Sequence, residues 1–217
     1  MTEKIVIPLG EECYTCQSID GKFSNSIRQQ GFPFDYVGHT FVEKIYDNFL
    51  DLLTTPYDFS INKDDFDITK FGDKYNYVHK KYGFKYWHDI SSDTNNFEEK
   101  DINEFMDKYN RRYKRLYDIV QSKTITPIFL SVNHFDNIYN KLTKQPEIYK
   151  LYELLYSCNK NIKFIAVNYG NAIPNVKNLS VINLSVINLP VNYNLPFTES
   201  KAQFTECLYN FVKNLKL

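Results

Sequence analysis

The chain has 217 residues, and its 26 Lys and Arg balance its 26 Asp and Glu, so the formal net charge is zero. That balance supplies neither a basic face for nucleic acid nor an acidic field, and nucleic acid is not an expected partner. No run approaches the roughly 20 apolar residues of a membrane helix, and the short apolar run after Lys4 is too brief for a signal-peptide core. The expectation is therefore one soluble domain over residues 1–217, in the cytoplasm, with no membrane partner. The 18 Tyr and 17 Phe stand out, although base composition alone produces such usage. Cys13, Cys16, Cys158 and Cys207 are expected as free thiols in a reducing compartment.

Residues 4–9 read as a buried strand, the first of a parallel sheet. Gly10 permits a tight turn after it, and Cys13 then falls where a following helix would begin. A helix N-terminus favours the thiolate, the nucleophilic form of cysteine. Residues 12–30 admit two short helices broken near Asp20-Gly21. Gly31-Phe-Pro-Phe-Asp35 is a loop or a short extended segment. Residues 40–53 have helical spacing, with Phe41, Ile45, Phe49, Leu52 and Leu53 on one face and Pro56 as the stop.

Tyr75–Val78 and Phe84–Trp87 alternate enough for two short strands joined by a turn at 80–83, with His88-Asp89 directly after them. Residues 101–121 predict the clearest helix, an apolar stripe opposed by Lys and Arg. The rest reads as strand 125–132, a helix over 139–156 interrupted by Pro146, strand 162–167, a strand region 179–189 and a closing helix 198–215. The pentamer Asn178-Leu-Ser-Val-Ile182 recurs at 183–187, a local duplication that matches no solenoid period. Strands alternating with helices predict an α/β fold, mainly a parallel sheet covered by helices. Sites in such sheets lie beyond the carboxyl ends of the strands, which makes the Leu9–Cys13 turn the natural candidate.

A nucleophilic Cys13 needs a base, usually His, and a group to orient that base. His39, His79, His88 and His134 are the candidates. His88 is set apart by Asp89, since a carboxylate fixes the imidazole tautomer, and Asp35 is a second possible orienter. Arg28 lies between the cysteine turn and Asp35 and suits an anion or a pairing with Asp35. Arg111-Arg112 and Lys114-Arg115 read as a solvated helix face. Cys13-x-x-Cys16 has the spacing of a redox pair, but residues 17–55 lack the βαβ pattern that fold requires. Neither Cys158 nor Cys207 has a ligand neighbour that would complete a metal site. No cofactor or metal is expected.

The ordered set Leu9-Gly10 and Cys13, Arg28, Pro33-Phe34-Asp35, Asn48-Phe49, Gly83-Phe84, His88-Asp89, Arg111-Arg112 and the strand from Ile128 to Val132 resembles a domain family of unknown function described as papain-like cysteine peptidases, found in bacteria and large DNA viruses. The likeness spans roughly residues 4–170. Pro8 stands where that pattern has Ser, and Tyr36 where it has Trp. The resemblance implies a Cys–His hydrolase acting on an acyl or peptide substrate. In it Cys13 is the nucleophile, His88 the base, and Asp35 or Asp89 the orienter, with Gly10 and Arg28 on the oxyanion or substrate side. It would place the protein inside the cell, in the host cytoplasm for a viral member. A papain-like fold is α+β, whereas the order of elements here favours Rossmann-like or SGNH-like layering. Two other functions compete: a non-catalytic module binding phosphate or sugar through Arg28 and Arg111, and the thiol–disulfide pair.

Overall fold

The computed structural model describes residues 3–10, 31–35, 37–38, 42–56, 58–134, 139–140, 145–169 and 184–189. Strand β1 (Glu3–Gly10) is followed by helix α1 (Val42–Thr54), a 3₁₀ turn (Lys63–Asp65), β2 (Phe66–Phe71), β3 (Lys74–His79) and β4 (Ser91–Ser92). Then come α2 (Glu99–Gln121), β5 (Ile125–His134), β6 (Tyr139–Asn140), β7 (Gln145–Pro146), α3 (Glu147–Cys158), β8 (Lys163–Tyr169) and β9 (Leu184–Leu189). The fold is α/β: one parallel sheet of order β1-β5-β8-β9, an antiparallel sheet of order β2-β3-β4, and helices.

The parallel sheet follows from apolar runs that can be buried on both sides. Ile128, Phe129, Leu130 and Ser131 are consecutive and all buried. Neighbouring residues on a strand face opposite ways, so both faces of β5 are shielded from water. Phe129 and Phe164 are register partners and therefore share a face, their rings 6.0 Å apart. On that face Phe49 of α1 meets Phe129 edge-on at 5.9 Å, and Tyr152 of α3 meets Phe164 at 6.3 Å. The α1 and α3 stripes thus cover one side of the sheet. The chain leaves β1 at Gly10, opposite Val132 of β5.

The antiparallel sheet departs from the sequence expectation. Lys74–His79 is a strand, but its main partner is Phe66–Phe71, joined through the turn Gly72-Asp73 where Gly72 adopts φ 62°. Only Phe66 of β2 is buried, so the strand lacks the alternation that would reveal it. Residues 84–87 form no strand; Lys85 makes single bridges to Val78 and Gly38. The helix expected over 139–156 starts after Pro146 instead. Proline lacks an N–H and disfavours helix in the residue before it, so 139–140 and 145–146 pair as a short ladder. The segments 12–30 and 198–215 lie outside the described residues.

The aromatic excess is largely structural. Tyr77, Tyr86, Tyr109, Tyr113, Phe32, Phe49, Phe84, Phe129 and Phe164 are among the largest fully buried side chains. Phe66 packs against Tyr77, Tyr86 and Phe105, while Phe34 packs against Phe49, Phe84 and Tyr113. Trp87 lies flat against the backbone of Gly38, where a Cβ would stand 2.5 Å from the indole Cζ2.

His79 belongs to this core. Its ring contacts Phe66 at 5.2 Å and Tyr82 at 4.4 Å, and its Nδ1 accepts the Lys81 N–H at 3.2 Å. Burial lowers its pKa from 6.5 to about 4; Asp65 and Asp51 oppose the shift and Lys81 reinforces it. The native state therefore holds neutral imidazole at pH values where the unfolded chain already binds a proton. Stability from this residue is complete above pH 6.5 and is lost as pH falls toward 4, by about 2–3 kcal/mol. Urea unfolding at pH 7 and pH 4.5 should show His79→Asn losing less stability on acidification than the parent chain.

Candidate functional site

The segment Gly31–Asp35 is built around its own carboxylate. Asp35 Oδ2 accepts the Phe32 N–H at 2.7 Å, and the Asp35 N–H returns to the Phe32 carbonyl at 3.2 Å. Phe32 and Phe34 drive the segment inward, which buries Asp35 to 1% exposure. An ionised carboxylate cannot be buried without donors. α2 holds the start of the same segment. Arg115 Nη1 donates to the Gly31 carbonyl at 2.5 Å. A Cβ on Gly31 would lie 3.1 Å from Arg112 Nε and 3.3 Å from Asp35 Oδ2, so the guanidinium and the carboxylate flank that glycine.

The His88-Asp89 pair sits on a turn in which the N–H groups of Asp89 and Ile90 both bond the Tyr86 carbonyl at 3.0 Å. Tyr86 and Ile90 are buried and hold the turn down. His88 is exposed, its ring perpendicular to Trp87 with centroids 6.1 Å apart. Asp89 points the other way, onto α2. The Tyr109 hydroxyl and Lys108 Nζ donate to its carboxylate, and Arg112 Nη1 approaches Oδ2 at 3.4 Å. The Arg112 guanidinium also lies 5.1 Å from the Tyr109 ring centroid. Burial, and next the Asp89 charge, push the Tyr109 phenol well above its ordinary pKa, so it remains a donor at neutral pH.

Arg112 therefore bonds the Asp89 carboxylate and lies against Gly31, at the start of the segment that carries Asp35. This corrects the expectation of a solvated Arg111-Arg112 and Lys114-Arg115 face for Arg112 and Arg115, while Arg111 and Lys114 are exposed as expected. Arg112 is only 15% exposed and Arg115 is committed to Gly31, while Lys114 pairs with Asp118 on the open side. Lys108, Tyr109, Arg112 and Arg115 were not proposed as site residues. Their spacing of one, three and three residues keeps them on one flank of α2, bordering the apolar stripe. That position was the available signal.

Asp89 also forms one wall of an open groove of about 860 Å³, lined across from it by Ser92, Thr94 and Asn96 and along α2 by Asp101, Glu104 and Lys108. Gly10 is the last residue of β1. His79 is in the core, and His134 is the last residue of β5. Cys13, Cys16, Arg28 and His39 lie outside the described residues. Cys158 is a free thiol. Among the described residues, no group of three or more His, Cys, Asp or Glu is placed to hold a metal ion, and no helix is long and apolar enough to cross a membrane.

Comparison with family models, with curated proteins and with solved structures finds no match.

Removing the Asp89 charge leaves Lys108 and Arg112 facing a partly buried space without compensation. Asp89→Asn should cost about 2–3 kcal/mol in chemical denaturation, whereas Asp118→Asn, at an exposed i,i+4 pair, should cost less than about 0.5 kcal/mol.

Proposed function

We propose that the chain is a cysteine-dependent hydrolase or acyl-transfer enzyme. Cys13 attacks an acyl carbonyl, His88 takes the thiol proton, and Asp35 or Asp89 orients the imidazole. The observation that carries this assignment is the end of β1. Gly10, three residues before Cys13, is the last position of a strand in a parallel sheet, paired with Val132. Ligands of open α/β sheets bind beyond the carboxyl ends of the strands, and Gly10 stands at that end of β1. Among the described residues the parallel strands run in the order β1-β5-β8-β9, and Rossmann-like or SGNH-like layering is part of the proposal.

The chemistry follows from the residue types. The thiolate adds to the carbonyl carbon, and backbone N–H groups after Gly10 hold the oxyanion. Collapse forms a thioester and expels an alcohol, thiol or amine, which takes its proton from the imidazolium. Water, deprotonated by the same imidazole, cleaves the thioester; a second nucleophile in its place gives acyl transfer. Arg28 is the candidate for an anionic part of the substrate. The cycle requires no cofactor and is assigned to the cell interior, where thiols stay reduced. Asp89 is fixed on α2 through Lys108, Tyr109 and Arg112, and the segment that carries Asp35 is held to the same helix by Arg115 at the Gly31 carbonyl.

The test is alkylation of native protein by iodoacetamide with mass-spectrometric mapping of all four cysteines. Cys13 should label fastest, and at a pH below the ordinary thiol range near 8.5. His88→Ala should raise the pH midpoint of that labelling. A Cys13 that is inert in the native state and reacts only after unfolding would contradict the assignment.

A further inference from the structure

Among the described residues β2 is an edge strand, paired only with β3. Tyr77 accepts the Tyr86 N–H on its carbonyl and His79 donates its N–H to Phe84, so these β3 residues turn their backbone groups away from β2. In an antiparallel ladder their partners do the same. Phe66 faces outward and spends its N–H on the Lys63 carbonyl. Ile68, opposite Tyr77, and Lys70, two residues on, likewise present N–H and C=O groups to the open side. Among the described residues nothing bonds these four groups.

Native proteins blunt such edges. This one carries the charges of Asp67 and Lys70, but also two of the exposed large hydrophobics, Ile68 at 45% and Phe71 at 56%. Side chains alternate, so Ile68 and Lys70 lie on one face and Phe71 on the other. Lys70 Nζ lies over the Tyr75 ring. The Phe71 ring meets Trp87 at 4.9 Å, and Lys85 Nζ lies 5.3 Å from the Phe71 centroid and 6.0 Å from that of Trp87. The edge therefore offers backbone hydrogen bonds, an apolar contact on each face and an ammonium group on each face.

We infer that this edge binds an extended peptide segment of a partner protein by strand addition. The segment pairs antiparallel with β2 and reads apolar, acidic, any, apolar. Its first apolar residue meets Phe71 and Trp87, its carboxylate meets Lys70, and its second apolar residue meets Ile68 on the opposite face. The three-residue spacing is set by the three residues from Ile68 to Phe71. The backbone groups of Ile68 and Lys70 supply up to four hydrogen bonds.

Trp87 is the single tryptophan of the chain, so its emission reports on the edge. The probe is an acetylated, amidated octapeptide with Leu-Glu-Thr-Leu flanked by two Thr on each side. It should shift Trp87 emission saturably below about 1 mM. A permuted peptide with Leu-Leu-Glu-Thr at its centre should bind roughly tenfold more weakly. Lys70→Pro, which removes only an outward N–H and the ammonium group, and Phe71→Ser should each weaken binding at least about tenfold, with far-ultraviolet circular dichroism unchanged. If Lys70→Pro fails to fold, Phe71→Ser and the permuted peptide decide. Four results overturn the proposal: no saturable shift, equal binding of the two peptides, unchanged binding by the folded variants, or a wild-type dimer in sedimentation that Phe71→Ser dissolves.

Discussion

The carboxylate of Asp89 is the point on which the central part of the molecule is assembled. A buried charge is tolerated only when donors replace the water it has lost. Here the donors come from successive turns of one helix: Lys108 and Tyr109 on one turn, Arg112 on the next. The same flank continues to Arg112 against Gly31 and to Arg115 on the Gly31 carbonyl. A helix of 23 residues thus serves as a rigid ruler. Two loops that are far apart in the chain are each fixed to it by charge-assisted hydrogen bonds, and the paired backbone hydrogen bonds between Gly38 and Lys85 join their flanks directly.

The aromatic core imposes a second constraint of the same kind. Buried tyrosines bring hydroxyl groups that need partners. The Tyr109 hydroxyl donates to Asp89 and the Tyr82 hydroxyl to Asp51, while Tyr113 accepts the Asn48 amide at 3.2 Å. Lys81 Nζ also reaches Asp51, at 2.5 Å. The hydroxyls tie α1, α2 and the end of the β3 hairpin into one polar lattice within an otherwise apolar interior. Burial raises the pKa of Tyr82, Tyr86, Tyr109 and Tyr113, so these phenols stay protonated at neutral pH.

The parallel strands and the long helices were legible because their signals are local. Ile125–His134 is a dense apolar run, and α2 repeats its apolar residues at helical spacing. β2 was hidden because burial stops at Phe66 and the strand then faces solvent. The strand region 179–189 was ambiguous for a different reason. Leu179–Leu184 and Leu184–Leu189 spell the same hexapeptide; the second copy pairs with Phe164–Tyr169 as β9, and residues 179–183 lie outside the described residues. Asp35, His88 and Asp89 stood out as residue types, but Arg112 and Arg115 did not. A cation on a helix flank is indistinguishable from a solvated one until the loop it meets has been placed. The Cys13 turn was read from the run before it, and the observed β1 supports that reading up to Gly10.

Asp89 and Arg112 of α2 act as a pair, not as two separately tolerated charges. A double-mutant cycle of Asp89→Asn, Arg112→Gln and the combined variant, followed by urea unfolding at pH 7, isolates that term. The account predicts a coupling energy of about 1–3 kcal/mol, the double variant being less destabilised than the sum of the single ones. Additivity within about 0.3 kcal/mol would contradict it.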